Sequence, residues 1–219
     1  MLHELLDHWI ICWLGWVEHG GYWGVIVLMA MESSIFPVPS EVVIPPAAIL
    51  AISSGKMSLT GVILAGTFGS WLGSAITYYV SLAVGRPLVE RYGKFFFIPA
   101  EKLERAERFI RRYEAGGIFF ARLLPVLRHL ISIPAGIIRM GFLKFSILTV
   151  LGAAIWCSIL AKLGAKIGEG LPKGEALDAV QLVKAVKAEF PLVIGVVFVI
   201  GILYFLGMKV TASKSSISA

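Results

Sequence analysis

The sequence predicts an all-α polytopic membrane protein: an inverted repeat of a re-entrant helical hairpin plus a transmembrane helix, with an additional C-terminal transmembrane helix. Three observations predict it. The 219 residues are 58% hydrophobic and 16% charged, a balance rare in soluble domains. Two apolar stretches, 21–52 and 117–139, are interrupted by closely spaced prolines. Each is followed by a long apolar run containing Gly and Ala, and the most charged part of the chain separates the two units.

Residues 4–18 carry Trp9, Trp13 and Trp16 at spacings of three to four. This favours a helix with one aromatic face, interfacial or a short tilted span. The acidic and histidine-rich first residues lack the basic region of a cleavable signal peptide. A second apolar run, 21–36, is interrupted at Pro37 and Pro39, resumes at Glu41 and holds Pro45-Pro46. Two proline clusters so close together rule out one ordinary spanning helix. Irregular backbone at membrane depth must be buried in protein or line a wet cavity, so a re-entrant hairpin fits.

Residues 58–84 form the clearest span, with Gly69 and Gly73 as a small-xxx-small pair that lets helices approach closely. Residues 86–114 hold eight Lys/Arg and five Asp/Glu. Their apolar stripe opposite arginines predicts a surface-lying amphipathic helix on the cytoplasmic side. Residues 115–140 repeat the broken pattern. Arg122 and Arg128 flank Pro125, and Pro134-Ala135-Gly136 follows. Residues 142–167 form another span, 171–189 are polar, 190–208 form the last span, and the tail is basic and Ser-rich.

The chain 1–219 reads as a single membrane domain with its core at 20–170. The first repeat is 21–85, the linker 86–114 and the second, inverted repeat 115–168, with a final transmembrane helix at 190–208. Gly69 and Gly152 stand equally far ahead of Gly85 and Gly168. With the linker in the cytoplasm, the two hairpins open to opposite faces and the C-terminus is cytoplasmic, the plan of inverted-repeat secondary transporters. The net charge of +6 then sets topology and meets anionic lipid headgroups rather than nucleic acid. Cys12 and Cys157 sit far apart in apolar runs, and no metal-ligand spacing exists.

Ionised groups at membrane depth are costly and mark function. Glu32 and Glu41 in the first hairpin and Arg122 and Arg128 in the second are the candidates. Burial favours a protonated carboxyl and a facing guanidinium favours the ionised one, so Glu32 and Glu41 are read as the proton-coupling pair. Arginine binds phosphate through forked hydrogen bonds, so Arg122 and Arg128 are read as substrate-binding, with Ser40 and Ser132 as cap or substrate donors. The alternative reading is that Glu32–Arg and Glu41–Arg pairs merely pin the hairpins together, and the two roles can coexist. Pro37, Pro39, Pro45, Pro125, Pro134 and Gly136 are read as hinges or helix breaks. The motifs of metalloproteases and serine hydrolases are missing, so a lipid phosphatase, a channel and a purely structural role are weaker alternatives. The sequence reads as non-enzymatic, with no cofactor and no metal.

These residues are also where the chain resembles the bacterial DedA family, whose fold is shared with eukaryotic VTT-domain lipid scramblases. The resemblance rests on Glu32, Pro37-x-Pro39-Ser40-Glu41, Gly69-x-x-x-Gly73, Tyr78 and Gly85. In the second half it rests on Phe120-x-Arg122-x-x-Pro125-x-x-Arg128, Pro134-Ala135-Gly136, Met140 and Phe145. It spans about residues 20–170. It implies a multi-pass carrier in the bacterial cytoplasmic (inner) membrane that recycles a lipid using the proton gradient. The expected substrate is an anionic isoprenoid or phospholipid: undecaprenyl phosphate, serving cell-wall biogenesis, or alternatively phosphatidylethanolamine. Protons and membrane lipids are the other implied partners, and a homodimer is left open. Some members carry Asp where this chain has Glu41.

Overall fold

A computed structural model gives the architecture and describes residues 2–34, 39–92, 118–119, 122–123, 127–169 and 195. The expected breaks at Pro37 and Pro125 lie outside the described residues, as do 93–114 of the linker, the 171–189 stretch and, save residue 195, the last span. The named helices are α1 (Leu2–Glu32), α2 (Ser40–Ser54), α3 (Leu59–Tyr92), α4 (Leu127–Leu130), α5 (Ser132–Ile137) and α6 (Phe142–Glu169).

α1 is two arms joined at Gly21, whose φ of 54° and ψ of −129° leave the helical region. Glycine adopts this conformation without a Cβ clash. The arms then fold against each other so tightly that a side chain at Gly24 would strike the Trp16 carbonyl. The second arm ends at Glu32, where the Ser34 hydroxyl donates to the carbonyls of Ala30 at 2.5 Å and Met31 at 3.1 Å, satisfying C-terminal acceptors.

Extended Pro39 (φ −71°, ψ 129°) starts α2, and left-handed Gly55 (φ 64°) ends it. Pro45 and Pro46 lie inside this helix, so Pro45 does not break the chain as its sequence context suggested. The prolines remove the donors that the carbonyls of Glu41 and Val42 would otherwise meet, a loss of roughly 3 kcal/mol for an interior proline. Packing outweighs it: Val43, Ile44, Ala47, Ala48 and Ile49 are fully buried. On α6, Gly164 presses against Pro45 so closely that an added Cβ would lie 2.7 Å from the Pro45 Cα.

α3 holds an apolar window, Leu59–Ala83, about 37 Å long at 1.5 Å per residue. α6 forms a second membrane-length helix. Both exceed the roughly 30 Å hydrocarbon core. Each shows lipid-like exposure on one side: Leu64, Phe68 and Ile76 on α3, and Leu143, Ile147 and Ile155 on α6. Apolar surface of this kind on membrane-length helices suits contact with lipid. The protein is a multi-spanning helical bundle. Helix α3 runs on to Tyr92, past the apolar window, so residues 86–92, expected to begin the linker, are helical.

Close contacts fix the bundle. An added Cβ at Gly69 would meet Ile26, and one at Gly73 would meet Ala30, each about 3.0 Å from Cα; α1 and α3 therefore touch backbone to backbone. Gly136 of α5 sits against the Tyr78 carbonyl of α3. Pro134 occupies the first turn of α5, where a missing N–H costs nothing, so it opens a helix rather than interrupting one. The turn beyond α5 uses Arg139 at φ 55°. There Met140 N–H bonds to the Ala135 carbonyl and Arg139 N–H to the Gly136 carbonyl, the paired bonds of a Schellman motif.

The core has two apolar clusters. One joins α1, α2, α3 and α6 around Met29, Ile44, Trp156 and Leu160. The other gathers Tyr78, Ile118, Ile131, Ala135 and Phe145. The charged residues sit at their junction, Arg128 beside Trp156 and Arg122 beside Phe145.

Candidate functional site

The site forms where α1 ends, α2 begins and α4 lies alongside. Arg128 Nη2 donates to both oxygens of Glu32, at 2.7 Å to Oε1 and 2.6 Å to Oε2. Glu32 is 3% exposed and Arg128 5%. The Ser40 N–H, first in α2, also donates to Glu32 Oε1 at 3.0 Å, placing the carboxylate at a helix N-terminus where negative charge is favoured. Arg128 lies over the Trp156 ring at 5.6 Å, within cation–π range. The Trp156 Nε1–H donates to Ser40 Oγ at 3.2 Å. Four segments of the chain thus converge on one carboxylate.

Arg122 is held differently. Its Nη1 donates to Ser74 Oγ at 2.7 Å and its Nη2 to Ser132 Oγ at 2.8 Å, all buried. Its guanidinium lies 5.4 Å from the Phe145 ring centre. Gly152 makes room for the side chain, since a Cβ there would sit 2.6 Å from Arg122 Cβ. Among the described residues, each of the two arginines leaves one buried donor without a hydrogen-bond partner, Arg122 Nε and Arg128 Nη1. Such orphaned donors are rare in folded proteins and call for an explanation. Here they supply unspent capacity for an anion.

Among the described residues the cluster has one ion pair, Glu32–Arg128. Glu41 is half-buried in the first turn of α2, and the Arg122 donors Nη1 and Nη2 go to serines of α3 and α5 instead. Ser40 and Ser132 are engaged within the protein, Ser40 as backbone donor to Glu32 and acceptor from Trp156, Ser132 as acceptor from Arg122.

Sequence reasoning missed Ser74, Trp156 and Ser33, and gave Phe145 no role beyond the family pattern. The Ser33 Oγ pairs with Ser70 Oγ at 2.8 Å, and Thr77 Oγ1 donates to the Ser33 carbonyl at 3.3 Å. The signal for Ser74 was present: Thr67, Ser70, Ser74, Thr77 and Ser81 recur at alternating spacings of three and four, one face of a helix. A separate cavity of about 460 Å³ opens at the α1 bend, lined in part by His19, Gly21, Tyr22, Lys56 and Met57. It shares no lining residue with the charged cluster. Among the described residues no group of three or more His, Cys, Asp or Glu stands ready to hold a metal ion.

The VTT domain profile matches residues 38–166, more than half of the chain. The chain belongs to the DedA/VTT-domain family. The matched span takes in Glu41, Arg122 and Arg128, while Glu32 precedes it. The chain is 37% identical to undecaprenyl phosphate transporter A of Bacillus subtilis (strain 168) over 155 residues, 71% of this chain and 76% of the relative. It is 31% identical to undecaprenyl phosphate transporter A of Staphylococcus aureus (strain NCTC 8325 / PS 47) over 157 residues, 70% and 77% of the two chains. A third member of similar extent, from Lactococcus lactis subsp. cremoris (strain MG1363), bears the name alkaline phosphatase-like protein; it is 34% identical over 191 residues, 84% of this chain and 86% of the relative. No solved structure matches the chain significantly.

Proposed function

We propose that this protein is a secondary transporter that returns undecaprenyl phosphate across the bacterial cytoplasmic membrane, coupled to protons. The observation that carries the reading is the buried Glu32–Arg128 pair together with unspent guanidinium donors on Arg122 and Arg128. Two relatives named as transporters of this lipid support the substrate. A phosphate monoester suits forked arginine donors, and the isoprenoid tail stays in lipid along the apolar faces of α3 and α6.

The mechanism follows from charge balance. A proton taken up by Glu32 cancels the negative charge beside the two arginines and lets the phosphate enter the site. Loss of that proton restores the pair and expels the anion. Glu41, near the same helix start, serves as the second carboxylate of the relay. The second arm of α1, residues 22–32, is about 16 Å long and α2 about 22 Å. Both are short of the bilayer core, which supports a re-entrant hairpin at 21–52 and an inverted partner around α4 and α5. The linker and C-terminus face the cytoplasm in this reading.

The testing experiment is a substrate panel in defined liposomes, with and without an imposed proton gradient. Gradient-dependent movement of undecaprenyl phosphate is the expected result. Preferential movement of phosphatidylethanolamine would replace the substrate, and release of inorganic phosphate would replace transport with hydrolysis.

A further inference from the structure

The two buried arginines are not equivalent. Arg128 gives its Nη2 to both oxygens of a full countercharge. Arg122 gives Nη1 and Nη2 to two neutral serine hydroxyls, at 2.7 Å and 2.8 Å, and each arginine leaves one donor unpartnered, Nε on Arg122 and Nη1 on Arg128. An ionised acceptor makes a hydrogen bond roughly twice as strong as a neutral one. An arriving phosphate oxygen therefore displaces a serine from Arg122 far more readily than it displaces Glu32 from Arg128.

Ser74 belongs to a longer feature. Thr67, Ser70, Ser74, Thr77 and Ser81 form one hydroxyl row on α3, each at least nine-tenths buried. The row is about 21 Å long at the helical rise. Ser70 and Thr77 tie it to Ser33, next to Glu32. The row thus offers neutral acceptors beside the charged pair, on the membrane-length helix itself.

We infer that Arg122 is the arginine that receives the phosphate monoester, and that Ser74 and Ser132 are its resting partners. They hold the guanidinium while the site is empty and yield to the phosphate oxygens, whereas Arg128 stays coupled to Glu32. This division of labour rests on the transporter reading and goes further by assigning the two arginines different tasks. It has a consequence of unusual sign. A partner that binds only the empty state weakens apparent affinity, so removing either serine tightens binding and slows release.

The test uses the full chain in phosphatidylcholine nanodiscs, with farnesyl monophosphate and inorganic phosphate as separate probes. Ser74→Ala and Ser132→Ala are each expected to bind farnesyl monophosphate about tenfold more tightly, the scale of a hydrogen bond to a charged group, and to turn over more slowly in proteoliposomes. Arg122→Gln is expected to lose binding. Unchanged or weaker binding in both serine variants overturns the inference, as does loss of binding in Arg128→Gln with full retention in Arg122→Gln. Ser132→Ala engages a different guanidinium nitrogen and gives the same reading if Ser74→Ala does not fold. Inorganic phosphate binding as tightly as the lipid would make this a free-phosphate site and overturn the lipid assignment. A wild-type protein that binds neither probe overturns the transporter reading as well; a wild-type protein that transports while the serine variants behave identically overturns this inference alone.

Discussion

Replacing Glu32 with Gln removes one charge from a site where every atom of that carboxylate is engaged. The wild-type group accepts two contacts from Arg128 Nη2, at 2.6 Å and 2.7 Å, and one from the Ser40 N–H at 3.0 Å. A Gln oxygen keeps the Ser40 contact and one arginine contact. What is lost is the countercharge, leaving a guanidinium buried at 5% exposure with no anion. Removing one partner of a buried pair costs about 3–5 kcal/mol. Neutralising both partners, Glu32→Gln with Arg128→Gln, leaves no orphan charge and costs less than the sum of the singles. We expect a coupling energy of about 2 kcal/mol, within the range for contacting residues. The assay is reversible unfolding in detergent micelles, read by helical circular dichroism, for the wild type, both singles and the double. Additive single effects would refute the reasoning, since they would mean that the 2.6 Å contact carries no mutual dependence.

Other consequences are more local. Gly73→Leu should disrupt folding, because its side chain would run into the Ala30 backbone; a cysteine crosslinking survey of α1 against α3 would detect the displacement. Pro45→Ala should retain the fold and stabilise it by up to about 3 kcal/mol, restoring a donor to the Glu41 carbonyl; a thermal shift checks this, and loss of folded protein would show that the proline ring itself is needed against Gly164. Trp156→Phe should keep the aromatic face under Arg128 and lose the bond to Ser40 Oγ, at about 1 kcal/mol, measured by the same unfolding assay. Arg139→Gly should stabilise the Schellman turn by several tenths to 1 kcal/mol by relieving a positive φ, while a drop in stability would point to a lipid contact made by the arginine.

The charges were legible because ionised residues stand out in apolar sequence, and Glu32, Arg122 and Arg128 do meet at the bundle interior. The two membrane-length helices were legible from unbroken apolar runs, with α6 close to its expected bounds. Pro45 misled because the rule against interior proline is local, whereas the packing of α2 against Gly164 is tertiary. The apolar part of α3, Leu59–Ala83, was legible too, although the helix itself continues to Tyr92. The partners of Arg122 were not legible at all. Charge pattern suggests a carboxylate, but distance decides, and α3 and α5 bring Ser74 and Ser132 to the guanidinium first. The hydroxyl row that contains Ser74 has helical periodicity in the sequence. Its hydrogen bonds with Arg122 and Ser33 show that it lies beside the charged cluster.

The decisive measurement is uptake of labelled undecaprenyl phosphate into proteoliposomes of defined lipid, with an imposed proton gradient, comparing wild type with Glu32→Gln. The proposed coupling predicts gradient-dependent uptake by the wild type and uptake that no longer responds to the gradient in the variant. Equal gradient response in folded Glu32→Gln protein would contradict it, because the carboxylate held by Arg128 would then have no part in moving the proton.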